Sequence, residues 1–123
     1  MTTMWRVYRE LLILEYPIFR QNFVAIYERV RTRPLQASPR EQITVDQICR
    51  SVDIATALYF KQVRCLQRSA ATACLLKKFG FPAEMVVGVQ QTPFLAHAWV
   101  ELAGRVVNDK PYISEIYQVL ARC

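Results

Sequence analysis

The chain has 123 residues, 53% of them hydrophobic, and a formal net charge of +6 from 16 basic and 10 acidic side chains. That length suits one domain able to bury a core. No apolar run approaches the roughly 18 to 20 residues of a membrane span: the longest aliphatic stretch, Leu11 to Leu14, is bracketed by Arg9, Glu10 and Glu15. The same acids argue against a signal peptide, so no membrane insertion and a cytoplasmic location are expected.

In chain order, Trp5, Tyr8, Leu12, Phe19, Phe23, Ile26 and Val30 recur at helical spacing. Pro17 interrupts this pattern and disfavours a helical Tyr16, so two helices or one kinked helix are expected. The apolar crowd of Trp5, Tyr8, Leu11, Leu12, Leu14 and Phe19 exceeds one helix face and reads as a docking surface or as core cover. Arg29, Arg31, Arg33 and Arg40 follow with no acid among them after Arg29, and read as a solvated loop over Thr32 to Arg40. No stacking aromatics accompany them, so no nucleic-acid partner is expected.

Thr44 and Gln47 form a capping box for a third helix, with Val45, Ile48, Val52, Ala55 and Tyr59 on its apolar face and an end near Gln62. A fourth helix starts at Cys65 and runs to Phe79, where Lys77, Lys78, Gly80 and Pro82 are stop signals. The pattern then turns to strands. Ala83 to Val89 suits a strand buried on both faces, and Gln90 to Leu95 a loop. His97 to Leu102 and Arg105 to Asn108 form a hairpin about Ala103-Gly104. Ile116 to Arg122 reads as a strand in preference to a short helix. The expectation is an α+β fold, N-terminal helices packed on a small antiparallel sheet.

Four cysteines, at positions 49, 65, 74 and 123, form no C-x-x-C pair. Neither a metal site nor a disulfide framework is expected. Cys49 and Cys74 lie in apolar helical pattern and read as core thiols. Cys123, the last residue, reads as exposed and incidental. Cys65 differs, because a helix N-terminus favours the thiolate form. The chain has one histidine, so thiol–imidazole chemistry must use His97. Asp109, at the end of the hairpin's return strand, can orient that imidazole. Asn108 is the rival, and strand alternation lets just one of the two face the ring. Cys, His and Asp in that order read as nucleophile, general base and orienter of a peptide-bond hydrolase. The backbone N–H of Cys65 can stabilise an oxyanion, with Gln62 or Gln67 as second donor, Gln62 preferred. Trp99 reads as core or pocket wall, and Glu101 as a solvated strand position.

At C-L-Q-R-S, F-G-F-P-A-E-M-V-V-G-V, A-H-A-W-V-E and G-R-V-V-N-D the chain resembles the transglutaminase-like cysteine leader peptidases of lasso-peptide biosynthesis, the B2 proteins. The likeness is close over about residues 44 to 122 and loose before them. It implies a papain-like catalytic core at 44–123 preceded by a helical segment and loop at 1–43, and the roles of a triad for Cys65, His97 and Asp109. It also implies a bacterial protein that needs no cofactor and removes the leader from a ribosomally made precursor peptide. Expected partners are that precursor, a separate leader-binding recognition protein and an ATP-dependent macrolactam cyclase, which uses the freed core N-terminus. The same fold could instead carry out acyl transfer to an amine, or serve as a non-catalytic assembly subunit.

Overall fold

The computed structural model describes residues 2–35, 44–91 and 93–123. Four main helices, α1 (Thr2–Phe19), α2 (Phe23–Arg31), α3 (Val45–Ala57) and α4 (Cys65–Lys78), precede the sheet. Its strands are β1 (Ala83–Gln91), β2 (Phe94–Leu102), β3 (Arg105–Val106) and β4 (Gln118–Arg122), with a one-turn helix α5 (Ile113–Ile116) before the last. The sheet is antiparallel throughout, in the order β3-β2-β1-β4. The fold is therefore α+β, helices first and sheet second. No helix among the described residues is long and apolar enough to cross a membrane.

Two helices form here, one of the two expected outcomes, but the first differs from expectation in two ways. It runs through Pro17 to Phe19. Proline removes one N–H bond, and near the helix end the carbonyl it frees belongs to Ile13, on the exposed side. The break comes at Gln21, whose φ of 53° is left-handed, and Asn22 then caps α2 by accepting from the Ala25 N–H. The buried stripe is also rotated from the expected one. Val7, Leu11 and Leu14 are buried, whereas Trp5, Leu12, Phe19 and Phe23 face outward. Leu11 and Leu14 thus belong to the core and not to an exposed docking patch. The aliphatic residues win because they fall on one i, i+4, i+7 row packed on α3 and α4.

Glu10 lies in that buried row. Its carboxylate accepts from Arg29 Nη2 and from Arg33 Nη2 at 2.8 Å. These two arginines are therefore tied to the core and are not a solvated basic run. Arg31 pairs on the surface with Glu28. Arg40, the tip of the expected loop and the division at residue 43 lie outside the described residues. Glu10→Ala removes the shared acceptor of two half-buried cations. It is expected to cost about 2 to 3 kcal/mol in a chemical-denaturation curve, whereas Arg31→Ala should leave the midpoint where it is. Equal midpoints for the Glu10 variant and the wild type would count against this tie.

The capping box forms in full: Thr44 Oγ1 accepts from Gln47 N–H, and Gln47 Oε1 accepts from Thr44 N–H. Helix α3 stops at Ala57, earlier than expected, because the chain turns to bury Tyr59 and aim its hydroxyl at Glu15. Helix α4 ends in a Schellman motif. Gly80 has φ 89°, its N–H donates to Lys77, and the Phe81 N–H donates to Leu76.

Strand β1 is central and buried on both faces. Met85 joins the main core with the helices, and Val86 joins a second cluster with Trp99 and Ile113. The expected loop between β1 and β2 is mostly strand, since the pairing continues to Gln91 and Phe94. The turn at Ala103-Gly104 has φ of 53° and 78°, the double left-handed conformation of a tight hairpin. The return strand, by contrast, pairs for two residues only. The final segment is the expected strand, β4, which lies against β1 on the side away from β2; the one-turn helix α5 precedes it and shares only Ile116 with the expected range. Cys123 is half-buried against the core and exchanges backbone bonds with Met85, so it is not a free exposed tail.

Candidate active site

Helix α4 begins at Cys65, with Arg64 as an extended N-cap that supplies no side-chain bond to the helix. Its N-terminal N–H groups are not taken by a cap. Four residues on, Ser69 is fully buried and donates to the Ala98 carbonyl of β2 at 3.0 Å. This seats the first turns of α4 along β2, next to His97. Among the described residues no hydrogen bond joins the Cys65 thiol to the His97 ring.

His97 lies within β2 and not at its start, paired across the sheet with Gly88. Its Nε2 is 2.6 Å from Asp109 Oδ2, and the other oxygen, Oδ1, accepts from the Lys110 N–H. Both carboxylate oxygens are thus fixed. Burial raises the Asp109 pKa, but bonds from the His97 ring and the Lys110 amide, with Arg68 nearby, outweigh it and hold the carboxyl below its ordinary value. An ionised Asp109 can only accept, so Nε2 carries the ring proton and Nδ1 is left as the basic nitrogen. Asn108 lies beyond the two-residue β3 and faces elsewhere: its side chain meets Val100 N–H and Ser69 Oγ.

The imidazole stacks on Tyr117, with ring centroids 5.3 Å apart, and lies 6.1 Å from Trp99. Gly88 makes room for this packing. A Cβ there would meet the Trp99 ring at 2.8 Å and Tyr117 Cβ at 2.9 Å. Trp99 is fully buried, and its indole N–H donates to Glu101 Oε2 at 2.8 Å. Glu101 is therefore buried, and not on a solvated face: Arg122 closes its other oxygen at 2.8 Å. Strand alternation already placed Glu101 beside Trp99, and the indole donor explains the acid there. Tyr117 had no such sequence signal, because its contact depends on β4 crossing to the far side of β1.

Gln62 is exposed, just before α4. Gln67 is buried and its amide donates to Leu11 O and Glu15, so it braces α1 and is not free for a reacting group. Among the described residues no three His, Cys, Asp or Glu side chains gather as a metal site would.

The remaining thiols are well separated in reactivity from a nucleophile. Burial pushes Cys49, Cys74 and Cys123 each up to about 11. Limiting iodoacetamide at mildly acidic pH is therefore expected to modify Cys65 first, as read by peptide mass mapping. Labelling of Cys49 or Cys74 ahead of Cys65 would contradict that order.

A helix headed by cysteine, laid along a strand whose histidine is held by an aspartate from the following hairpin arm, is the plan of a transglutaminase-like domain. The family model for the transglutaminase-like superfamily matches residues 11–122, and the chain belongs to that superfamily. It is 39% identical over 57 residues to the microcin J25-processing protein McjB of Escherichia coli, a match covering 46% of this chain and 27% of the relative. The chain thus aligns with about a quarter of that protein's length. No solved structure matches the chain.

Proposed function

We propose that this chain is a cysteine peptidase that removes the leader from a ribosomally made lasso-peptide precursor. The observation that carries the reading is the 2.6 Å His97–Asp109 bond, beside a helix that Cys65 heads. Likeness to a microcin-processing protein supports the substrate class.

In this reading Cys65 gives its thiol proton to His97 Nδ1, and the thiolate attacks the carbonyl carbon at the leader–core junction. The oxyanion is met by the Cys65 backbone N–H, with the Gln62 side chain as the second donor. The C–N bond breaks as His97 Nδ1–H gives its proton to the departing core amine, leaving the leader as a thioester on Cys65. His97 then takes a proton from water, which attacks the thioester and frees the thiolate. Asp109 holds the ring and stabilises its charged form throughout. The liberated core amine is the nucleophile that a partner cyclase would need. A separate leader-binding protein would raise the local precursor concentration without altering the site.

Mass spectrometry of a lasso precursor incubated with the protein, with and without such a binding protein, tests this. Two fragments whose masses sum to the precursor plus water are expected. A cross-linked adduct would indicate acyl transfer instead, and an unchanged precursor a non-catalytic subunit.

A further inference from the structure

We propose that Asn108 and Ser69 are positioning residues, forming a clamp that sets the cysteine-bearing helix against the histidine-bearing strand; this rests on the peptidase reading above. The need for a clamp comes from the shortness of β3. Beyond its two paired residues and the Val107 N–H to Val100 O bond, no strand among the described residues covers the outer edge of β2. The Val100 N–H and the Ala98 carbonyl on that edge still require partners. Two side chains supply them. Asn108 Oδ1 accepts from Val100 N–H at 2.7 Å, and Ser69 Oγ donates to Ala98 O at 3.0 Å. A third bond, Asn108 Nδ2 to Ser69 Oγ at 3.1 Å, joins the two.

Each member of this clamp adjoins one member of the candidate site. Ser69 is one helical turn after Cys65 and on the same face of α4. Ala98 follows His97, and Asn108 precedes Asp109. One amide therefore links helix, strand and hairpin arm at the level where thiol, ring and carboxylate must meet. A connected chain of three bonds, buried at Ser69 and half-buried at Asn108, favours one arrangement of helix, strand and arm. Loss of Asn108 leaves the Val100 N–H without its acceptor and lets α4 shift along the edge of β2.

The test reads Asn108→Ala and Asn108→Asp, with the core variant Val30→Ala as a control for lowered stability. Aspartate keeps the acceptor for Val100 but cannot donate to Ser69 as the amide does, so it covers the case in which the alanine variant does not fold. The expected result in folded protein is a kcat on precursor lower by about 10- to 100-fold, with KM little changed. The pH profile of Cys65 alkylation by iodoacetamide should also move, in both Asn108 variants and not in Val30→Ala. Asn108→Ala combined with Ser69→Ala should be no worse than the worse single variant, since both open the same clamp. Folded Asn108 variants with wild-type kcat and a wild-type alkylation profile would overturn the proposal. Alkylation needs no substrate. If wild-type protein leaves the precursor intact, the peptidase reading fails while the alkylation arm still decides the clamp.

Discussion

Cys65→Ala is expected to abolish leader cleavage, with kcat falling on the order of 10⁵-fold or more, as when the nucleophile of a triad is removed. No other thiol can take over: Cys49 and Cys74 are buried in the core, and Cys123 lies at the end of β4. The fold should survive. Cys65 is half-buried at the first position of α4, and the helix is held by Ala70, Ala71, Ala73, Cys74, Leu75 and Leu76 further along. Alanine is a good helix former and leaves no buried polar group behind. Precursor cleavage measured by mass spectrometry, with circular dichroism to check folding, decides the matter. Cleavage retained by the alanine variant would remove Cys65 from the mechanism.

The second large effect is at the orienting carboxylate. Asp109→Ala is expected to lower kcat by about 10³- to 10⁴-fold, since the ring loses both its fixed tautomer and the charge that balances its protonated form. Asp109→Asn should keep more activity, because an amide oxygen can still accept from Nε2–H. Asn108→Ala should cost less than Asp109→Ala. The reverse order would mean that the amide, and not the carboxylate, serves the imidazole. The pH dependence has a definite sign. The Asp109 pKa is depressed in the folded state, so its contribution to stability is present above the ordinary carboxylate value of about 3.9 and is lost as pH falls through the lower folded value. Stability lost on acidification through that range should therefore be smaller in Asp109→Asn than in the wild type, as read from denaturation midpoints against pH.

What could be read from the sequence was what local chemistry decides. The Thr44–Gln47 box, the Lys77-Lys78-Gly80 stop and the Ala103-Gly104 turn each draw on neighbours a few residues away, and each forms as the residues require. The proximity of His97 to Asp109 followed from the hairpin, with Asp109 at 12 residues' remove from His97. The buried charges were not legible. Glu10 finds its cations on the next helix and just beyond its end, and Glu101 finds Arg122 on the last strand, so both depend on tertiary placement. Pro17 pointed to two helices but not to where the break falls, because its cost depends on how much helix follows it. The task of Asn108 was hidden for a related reason: side-chain service to a strand edge arises only once β3 is seen to be short.

The two valines between the turn and the site have an influence larger than their size. Val106 packs with Trp99 and Val86 on one face of the sheet, and Val107 packs into the helical core on the other. A slip of the return arm by one residue would send each valine to the wrong face. It would also bring Asn108 to the place of Asp109, exchanging a carboxylate for an amide at the imidazole. The identity of the group that meets the histidine is thus guarded by two hydrophobic side chains that never touch it. The cost of moving those two valines is what keeps a carboxylate, and not an amide, against the imidazole.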